Sequence, residues 1–230
     1  MKSKIDYGDY SWNFWIGCKG TDCLVKDICW AKKLNNRFKW IKDFRKPQFL
    51  KDKFNVKFPT SPSKILVCFT GDLLRKEVPK KRIQKTIKKI KEYPQHKFLF
   101  LTKNPKRYGE FKFPINCWLG TTYNTFDERW RLANLISYGK ENIKYVSIEP
   151  IMDDCNTDYL VLMDWIIIGG FSGKSKIHPK KEWIQNILRN VKRFKKPVFI
   201  KDNIKWKEKL QEFPNIKNEE KKNETTITTS

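Results

Sequence analysis

The sequence lacks long hydrophobic runs and has no apolar segment near its start. No stretch approaches the roughly 18 apolar residues of a transmembrane helix, and residues 1–6 do not contain the hydrophobic region of a signal peptide. The first absence excludes a hydrophobic membrane-spanning helix, and the second predicts a cytoplasmic protein without a membrane partner. In a reducing cytoplasm, clustered cysteines bind metals more often than they form disulfides.

Acidic side chains are scarce: 25 Asp and Glu residues stand against 49 Lys and Arg residues, which gives a formal net charge of +24. This excess indicates affinity for polyanions, so nucleic acid is one candidate partner or substrate. Arginine is also scarce, since only nine of the 49 basic residues are Arg. A surface that recognises phosphates and bases favours Arg, so a general lysine bias with a solvated surface is the other interpretation.

Three of the six cysteines lie within twelve residues, which is the most informative feature of the sequence. Cys18, Cys23 and Cys29 leave four and then five residues between them, and a helical pattern begins directly after Cys29. A closed structural zinc site takes four ligands, so three thiolates leave one coordination position open. The other cysteines are isolated in apolar or mixed runs, which predicts buried side chains that act as small hydrophobic groups. These isolated residues are Cys68, Cys117 and Cys155.

Short apolar runs alternate with amphipathic helical patterns along the rest of the chain. The predicted strands cover residues 10–16, 65–69, 97–101, 115–119, 145–148, 165–168 and 197–200. Helices are predicted after Cys29, over residues 80–93, after a capping box of Thr125 and Glu128, and over residues 183–191. This alternation predicts an α/β fold with mostly parallel strands: a partial or complete (β/α) barrel, with an open doubly wound sheet as the alternative.

The barrel interpretation divides the chain into one domain and a tail. Residues 1–214 form the domain, which contains the cysteine loop over residues 18–29. Residues 39–63 are basic and contain three prolines, which predicts an excursion across the barrel mouth. Residues 215–230 are polar and are predicted to form a frayed C-terminal tail.

In such folds the chemistry is found in the loops that follow the C-terminal ends of the strands. Small or polar residues follow every predicted strand, and a lone Glu or Lys after a buried strand is the most informative of them. Gly169 and Gly170 begin a glycine-rich loop whose backbone N–H groups are able to bind an anion or a carboxylate. The candidate cofactor-binding residues are Asp72, Thr102, Lys103, Glu149, Gly169, Gly170 and Lys201.

A succession of short motifs resembles a known family over residues 8–206. The motifs begin with WNFWIGC at residues 12–18 and CWAKKL at residues 29–34, and they continue with FTGDL at 69–73, LTKNP at 101–105, WLGT at 118–121, SIEP at 147–150, DWIIIGG at 164–170, HP at 178–179 and FIK at 199–201. Together they resemble the phage-type three-Cys-motif proteins. That family is of unknown function and is similar to radical S-adenosylmethionine (SAM) enzymes.

The resemblance implies an iron–sulfur enzyme built on a barrel of radical-SAM type. Cys18, Cys23 and Cys29 would bind three irons of a [4Fe–4S] cluster, and the fourth iron would chelate SAM. The candidate residues at the strand ends would line a cavity for SAM and for a substrate. The substrate, the catalytic residues and any auxiliary protein partner stay unassigned. Radical-SAM enzymes commonly place three and then two residues between these cysteines, whereas this chain has four and five.

Two other interpretations of the cysteine loop stay open. In one, a non-catalytic module that binds nucleic acid or a protein partner holds zinc through the three thiolates and a fourth ligand. The candidates for that fourth ligand are Asp22, Asp27 and His178. In the other interpretation, three free thiols fill space in the core, although the residues around them are strongly polar.

Overall fold

The computed structural model of the chain describes residues 2–21, 23–138, 141–171 and 179–215. The sequence predictions for Asp22, His178 and residues 216–230 therefore lie outside the described residues. The described strands are β1 (Tyr10–Trp12), β2 (Trp15–Ile16), β3 (Gln48–Phe49), β4 (Lys64–Val67), β5 (Lys97–Thr102), β6 (Cys117–Thr122), β7 (Lys144–Ile148), β8 (Trp165–Ile168) and β9 (Val198–Ile200). The described α-helices are α1 (Trp30–Phe38), α2 (Lys51–Phe54), α3 (Lys80–Lys91), α4 (Trp130–Ser137) and α5 (Lys181–Arg193).

Seven of these strands form one parallel sheet whose spatial order follows their order in the chain. The order is β1-β4-β5-β6-β7-β8-β9, and every neighbouring pair is parallel. A doubly wound sheet reverses its strand order at a switch point, and no such reversal occurs here. The prediction of an α/β fold with parallel strands is therefore confirmed, and the doubly wound alternative is wrong.

The sheet curls around a cluster of aromatic side chains. The ring of Tyr7 lies edge-on to Trp165 on β8 at 5.6 Å and to Phe199 on β9 at 5.8 Å. Leu66 on β4 belongs to the same buried cluster, as does Trp118 on β6. Side chains from both halves of the sheet thus meet around Tyr7. Among the described residues β1 and β9 do not pair with each other, so the sheet forms a partial barrel with a filled interior.

The amphipathic helices pack on the outer face of the sheet, as their apolar stripes predict. Helix α3 buries Ile83, Ile87 and Ile90 against the main core. The same core contains the isolated cysteines Cys68, Cys117 and Cys155, each fully buried, and burial raises the pKa of all three thiols. Their predicted role as small hydrophobic groups is confirmed. Among the described helices, none is long and apolar enough to cross a membrane.

The predicted first strand over residues 10–16 is divided into two strands. β1 joins the main sheet beside β4, whereas β2 pairs antiparallel with β3, which lies within the basic excursion over residues 39–63. Trp12, Phe14 and Trp15 are all buried. The interruption covers Asn13 and Phe14, and after it the chain pairs with β3 in place of β4.

The predicted strand over residues 115–119 is shifted towards the C-terminus and becomes β6. Ile115 is 55% exposed, whereas every residue of β6 is buried. Gly120 lies inside this strand, where it pairs with Leu101 and Tyr145, and a Cβ atom on it would stand only 2.2 Å from the Tyr145 ring. The residues Gly120, Thr121 and Thr122 are therefore part of the strand and not of the loop after it.

The predicted capping box is wrong in its details. Thr125 makes no side-chain hydrogen bond at the start of the 3-10 helix over Phe126–Arg129, which precedes α4. Glu128 instead accepts a hydrogen bond from the backbone N–H of Asn124 at 2.8 Å and forms an ion pair with Arg131 at 2.8 Å. The carboxylate thus bonds the N–H of the residue before Thr125 and not that of Thr125 itself.

Candidate functional site

A cavity of about 520 Å³ opens where the parallel strands end. Its volume lies in the range of cofactor and small-molecule sites. Eight of the ten residues that the sequence predicts as site residues line it. They are Cys18, Cys23, Cys29, Asp72, Thr102, Lys103, Glu149 and Lys201. Sequence residues that are up to 183 positions apart therefore meet in one place, as expected for the loop face of a parallel barrel.

Two glycines allow the cysteine loop to leave the sheet at Cys18. Gly17 has a φ of 99°, and a Cβ atom on it would stand 2.7 Å from the carbonyl oxygen of Phe44. Gly71 faces Gly17 in a parallel bridge, and its own Cβ would stand 2.6 Å from the Trp15 carbonyl oxygen. Because neither residue carries a side chain, the chain after β2 is able to pass close to the loop after β4. This approach brings Cys18 to the cavity.

Cys29 ends the cysteine loop at the N-cap position of α1, as the sequence predicts. Its carbonyl oxygen accepts the N–H of Lys33 at 3.1 Å, which is the first hydrogen bond of the helix. The start of the helix therefore fixes the position of Cys29 at the end of the loop.

The three thiols share the cavity wall without forming a compact site for a single ion. Each of these cysteines is half-buried and none is in a disulfide. Across residues 2–21, 23–138, 141–171 and 179–215, no group of three or more His, Cys, Asp or Glu side chains is arranged to hold one metal ion. Burial raises the pKa of the Cys18 thiol, and Arg75 and Lys103 act in the opposite direction.

Asp72 is a buried carboxylate that holds two strand ends together. Its oxygens accept hydrogen bonds from the hydroxyl of Thr102 and from the backbone N–H groups of Lys103 and Leu74, each at 3.0 Å. The Thr102 hydroxyl in turn accepts the N–H of Asn104 at 2.9 Å. These bonds fix the loop after β4 to the loop after β5 beside the cavity. Burial raises the pKa of Asp72, and its hydrogen bonds with Lys103 and Thr102 lower it.

The raised pKa of Asp72 predicts a pH dependence of stability. The folded protein keeps a proton on this carboxyl that the unfolded chain releases as the pH rises from about 4. The free energy of unfolding of the wild type, relative to Asp72→Asn, should therefore fall as the pH rises through that window and then level off. Urea unfolding at a series of pH values measures this difference. Asp127→Asn, at a side chain that is 99% exposed, is the matched control, and a difference that rises with pH would contradict the expectation.

Arg75 connects the strand ends to the cysteine loop. Its guanidinium donates a hydrogen bond to the hydroxyl of Thr21, inside the cysteine loop, at 3.0 Å. The backbone of the Arg75 loop is held by Arg107, whose guanidinium donates to the carbonyl oxygens of Arg75 and Val78. Arg75 is itself buried and lines the cavity. It therefore positions the loop and brings positive charge close to the thiols.

Glu149 and Lys201 form an ion pair at the wall of the cavity. The Lys201 Nζ and a Glu149 carboxylate oxygen are 2.5 Å apart, and the two side chains are 10% and 17% exposed. Gly169 lies under this pair, since a Cβ on it would stand 2.9 Å from Glu149 Cγ and 3.0 Å from Lys201 Cδ. The missing side chain at Gly169 thus makes room for the ion pair.

Tyr7 adds a hydroxyl close to this ion pair. Its ring centroid is 6.0 Å from the Lys201 Nζ, and it lines the cavity. Burial raises the pKa of Tyr7 well above its usual range, and Glu149 raises it further. Ser147 forms a side-chain hydrogen bond that acts in the opposite direction. The hydroxyl thus keeps its proton at neutral pH and is able to donate a hydrogen bond.

The chain matches one protein family over nearly its whole length. Residues 2–228 match the family described as "Protein of unknown function (DUF5131)". The chain belongs to this family. The matched region contains the cysteine loop, the parallel sheet and every described residue of the cavity, so the candidate site lies wholly inside the DUF5131 region. Searches of curated proteins and of solved structures found no match.

Two of the predicted site residues of this DUF5131 member lie behind the cavity wall. Gly169 supports the ion pair from below, and Gly170 is held by Asn203, whose side-chain amide exchanges hydrogen bonds with the Gly170 N–H at 3.0 Å and carbonyl oxygen at 2.9 Å. The N–H of Gly170 is bonded to Asn203 and is therefore not available to an anion in the cavity. Gly169 donates its N–H to the carbonyl oxygen of Ile148.

Tyr7, Ser147 and Arg75 are among the cavity residues of this DUF5131 member that the sequence analysis did not predict. Tyr7 precedes the first strand, and nothing in its sequence neighbourhood signals a buried position. Ser147 is internal to β7 and resembles any small strand residue. Arg75 offers a signal, because a lone Arg after the apolar pair Leu73 and Leu74 in a strand-end loop is unusual. Of the fourth-ligand candidates for zinc, only Asp27 is described, and it is exposed outside the cavity lining.

Proposed function

We propose that this chain is an iron–sulfur protein with radical-SAM-like enzyme activity, in which Cys18, Cys23 and Cys29 hold a [4Fe–4S] cluster. One observation carries the proposal: three cysteines from one loop line a single cavity at the strand ends of a parallel sheet in sequential order. Under this proposal the partial barrel is of radical-SAM type and works in a reducing cytoplasm.

The donor set is one that an iron–sulfur cluster accepts. A cluster binds each thiolate through a different iron and therefore accepts thiols that stand apart, whereas a zinc ion draws its four ligands together at about 2.3 Å for sulfur. The three thiols line one cavity wall, and each of them would bind a different iron of the cluster. Three thiolates also leave one coordination position of the cluster open for SAM.

The residues around the thiols have roles in binding and in excluding water. Arg75 and Lys103 line the same cavity and supply positive charge that offsets the thiolates. Asp72 and the ion pair of Glu149 and Lys201 present polar groups suited to the amino, carboxylate and hydroxyl groups of SAM. When bound, the cluster and SAM together supply hydrogen-atom abstraction from a substrate. The protein orients SAM and keeps water from the reacting atoms.

The test is anaerobic reconstitution of the full-length protein with iron and sulfide, followed by metal and sulfide quantitation and a SAM-cleavage assay with a reductant. We expect about four irons and four sulfides per chain, a visible absorption band that bleaches on reduction, and formation of 5′-deoxyadenosine. A colourless protein that never yields 5′-deoxyadenosine would overturn the proposal. Stoichiometric zinc without sulfide would replace it with a zinc-binding module.

A further inference from the structure

The cavity wall carries an excess of positive charge. Five basic residues line it, against two acidic ones. The basic residues are Lys4, Lys33, Arg75, Lys103 and Lys201. Lys201 and Glu149 neutralise each other in their ion pair, and Asp72 accepts three hydrogen bonds within the protein, so the excess comes from the other four basic residues. Lys4 and Lys33 are exposed, so their charge is available to an anionic ligand.

Two aromatic rings stand beside these lysines. Trp30, the first residue of α1, lines the cavity and is 36% exposed. Phe171 lines it as well, and the Nζ of Lys33 lies 5.6 Å from the centroid of the Phe171 ring. Aromatic faces that stack on bases, next to cations that contact phosphates, are the two elements of a site for single-stranded nucleic acid.

The same combination continues along α1 away from the cavity. Phe38 is 53% exposed and stacks on Trp40, with ring centroids 5.5 Å apart and planes 15° from parallel. The guanidinium of Arg37 lies 5.3 Å from the Phe38 ring, and Lys53 lies 4.9 Å from the Trp40 ring. From Trp30 to Phe38 the helix rises about 12 Å, which is long enough for more than one nucleotide.

A general lysine bias does not account for this surface. Residues 28–42 contain no acidic side chain, although the whole sequence contains 25. Solvated lysine surfaces have no need of exposed tryptophan and phenylalanine, which cost free energy in water. What distinguishes this surface from other exposed cation–aromatic pairs, such as Arg131 with Trp130, is its position at the mouth of the cavity.

We infer that α1 and the cavity mouth bind single-stranded nucleic acid, with one nucleotide entering the cavity. Bases in a duplex are stacked on each other and cannot stack on Trp30 or Phe38, so the unpaired strand is the form that this surface recognises. The inference names the substrate class of the cavity in the proposed function. It rests on that function only for the chemistry, since the binding surface consists of this chain's own side chains.

The test is fluorescence anisotropy with a labelled single-stranded oligonucleotide over a range of salt concentrations. Trp30→Ala should weaken binding about tenfold without changing the dependence on salt, because it removes stacking. Phe38→Ala, at the other end of α1, should act in the same direction. Lys33→Gln should reduce the slope of log affinity against log salt by about 0.7, the value for one phosphate contact on a single strand.

Lys91→Gln is the matched control for charge. Helix α3 ends at Lys91 shortly before β5 begins at Lys97, so this exposed lysine lies at the end of the sheet opposite to the cavity. It should leave the affinity and the salt slope unchanged. Circular dichroism and thermal melting confirm that each variant is folded, which is expected for changes at exposed side chains.

The inference is overturned if the wild type does not bind the oligonucleotide, or if it prefers a duplex of the same length. It is also overturned if both aromatic variants bind like the wild type, or if phosphatidylserine vesicles compete as well as unlabelled oligonucleotide does. Binding is measured without a cofactor and is thus separate from reconstitution. A protein that takes up a cluster but no oligonucleotide contradicts only this inference, and a colourless protein that binds oligonucleotide contradicts only the proposed function.

Discussion

Cys18→Ala should reduce the iron and sulfide content of the reconstituted protein to background and abolish SAM cleavage. Cys18 is fixed in place by the hydrogen bond from its N–H to the Phe44 carbonyl oxygen at 2.9 Å, directly after Gly17. No other described cysteine outside the loop lines the cavity, so none is placed to substitute for it. Loss of one of three thiolates leaves two ligands, which are too few to retain a cluster against the chelators used during purification.

The matched control is Cys155→Ala, which removes a thiol of the same kind from the buried core. It should destabilise the fold by about 1 kcal/mol, since it leaves a small cavity, and it should leave the iron content unchanged. Cys23→Ala and Cys29→Ala should behave like Cys18→Ala. If Cys23→Ala retained full iron and sulfide, the second ligand of the proposed set would be wrong.

Lys201→Met should lower the free energy of unfolding by about 3 kcal/mol, which corresponds to a fall in melting temperature of about 6–12 °C for a domain of this size. The substitution leaves the largely buried carboxylate of Glu149 without its lysine partner, and a charge in that position is costly to desolvate. The side chains of Glu149 and Lys201 already fill the space above Gly169, so there is no room for an alternative packing.

The double variant Glu149→Gln/Lys201→Met separates the structural role of the pair from its role in the cavity. Removing both charges should restore most of the lost stability, since neither group is then buried alone. If the pair also orients SAM or substrate, the double variant should keep its cluster and still fail to cleave SAM. Thermal melting, iron quantitation and the cleavage assay report these outcomes independently.

Lys192→Met serves as the control for the loss of an ion pair in general. Lys192 and Glu208 are 2.9 Å apart, but their side chains are 49% and 63% exposed. Such a pair contributes less than about 1 kcal/mol. Equal losses of stability in Lys192→Met and Lys201→Met would show that the cavity pair has no special role in the fold.

The strands and main helices were predictable because their signals are local. Parallel strands that are covered on both sides consist of continuous apolar residues, so runs such as residues 165–168 are recognisable as strands from the sequence. Helix α1 after Cys29 and helix α3 follow from apolar spacing and from the residues that precede them. One error falls where a distant partner decides the outcome, because β2 leaves the first predicted strand to pair with β3. The capping box fails locally, because Glu128 accepts the N–H of Asn124 and not that of Thr125.

The sequence by itself determined the parallel α/β fold, the helix that starts at Cys29 and eight of the residues that line the cavity, because strand ends are recognisable and parallel strands place them on one face. Only the tertiary structure decided that Tyr7 and Arg75 belong to the same site, that Gly169 makes room for the ion pair, and that Trp30 stands exposed beside a lysine-rich mouth. These facts depend on contacts between residues far apart in the chain. Burial, close approach and charge pairing across such distances leave no periodic signal in a single sequence.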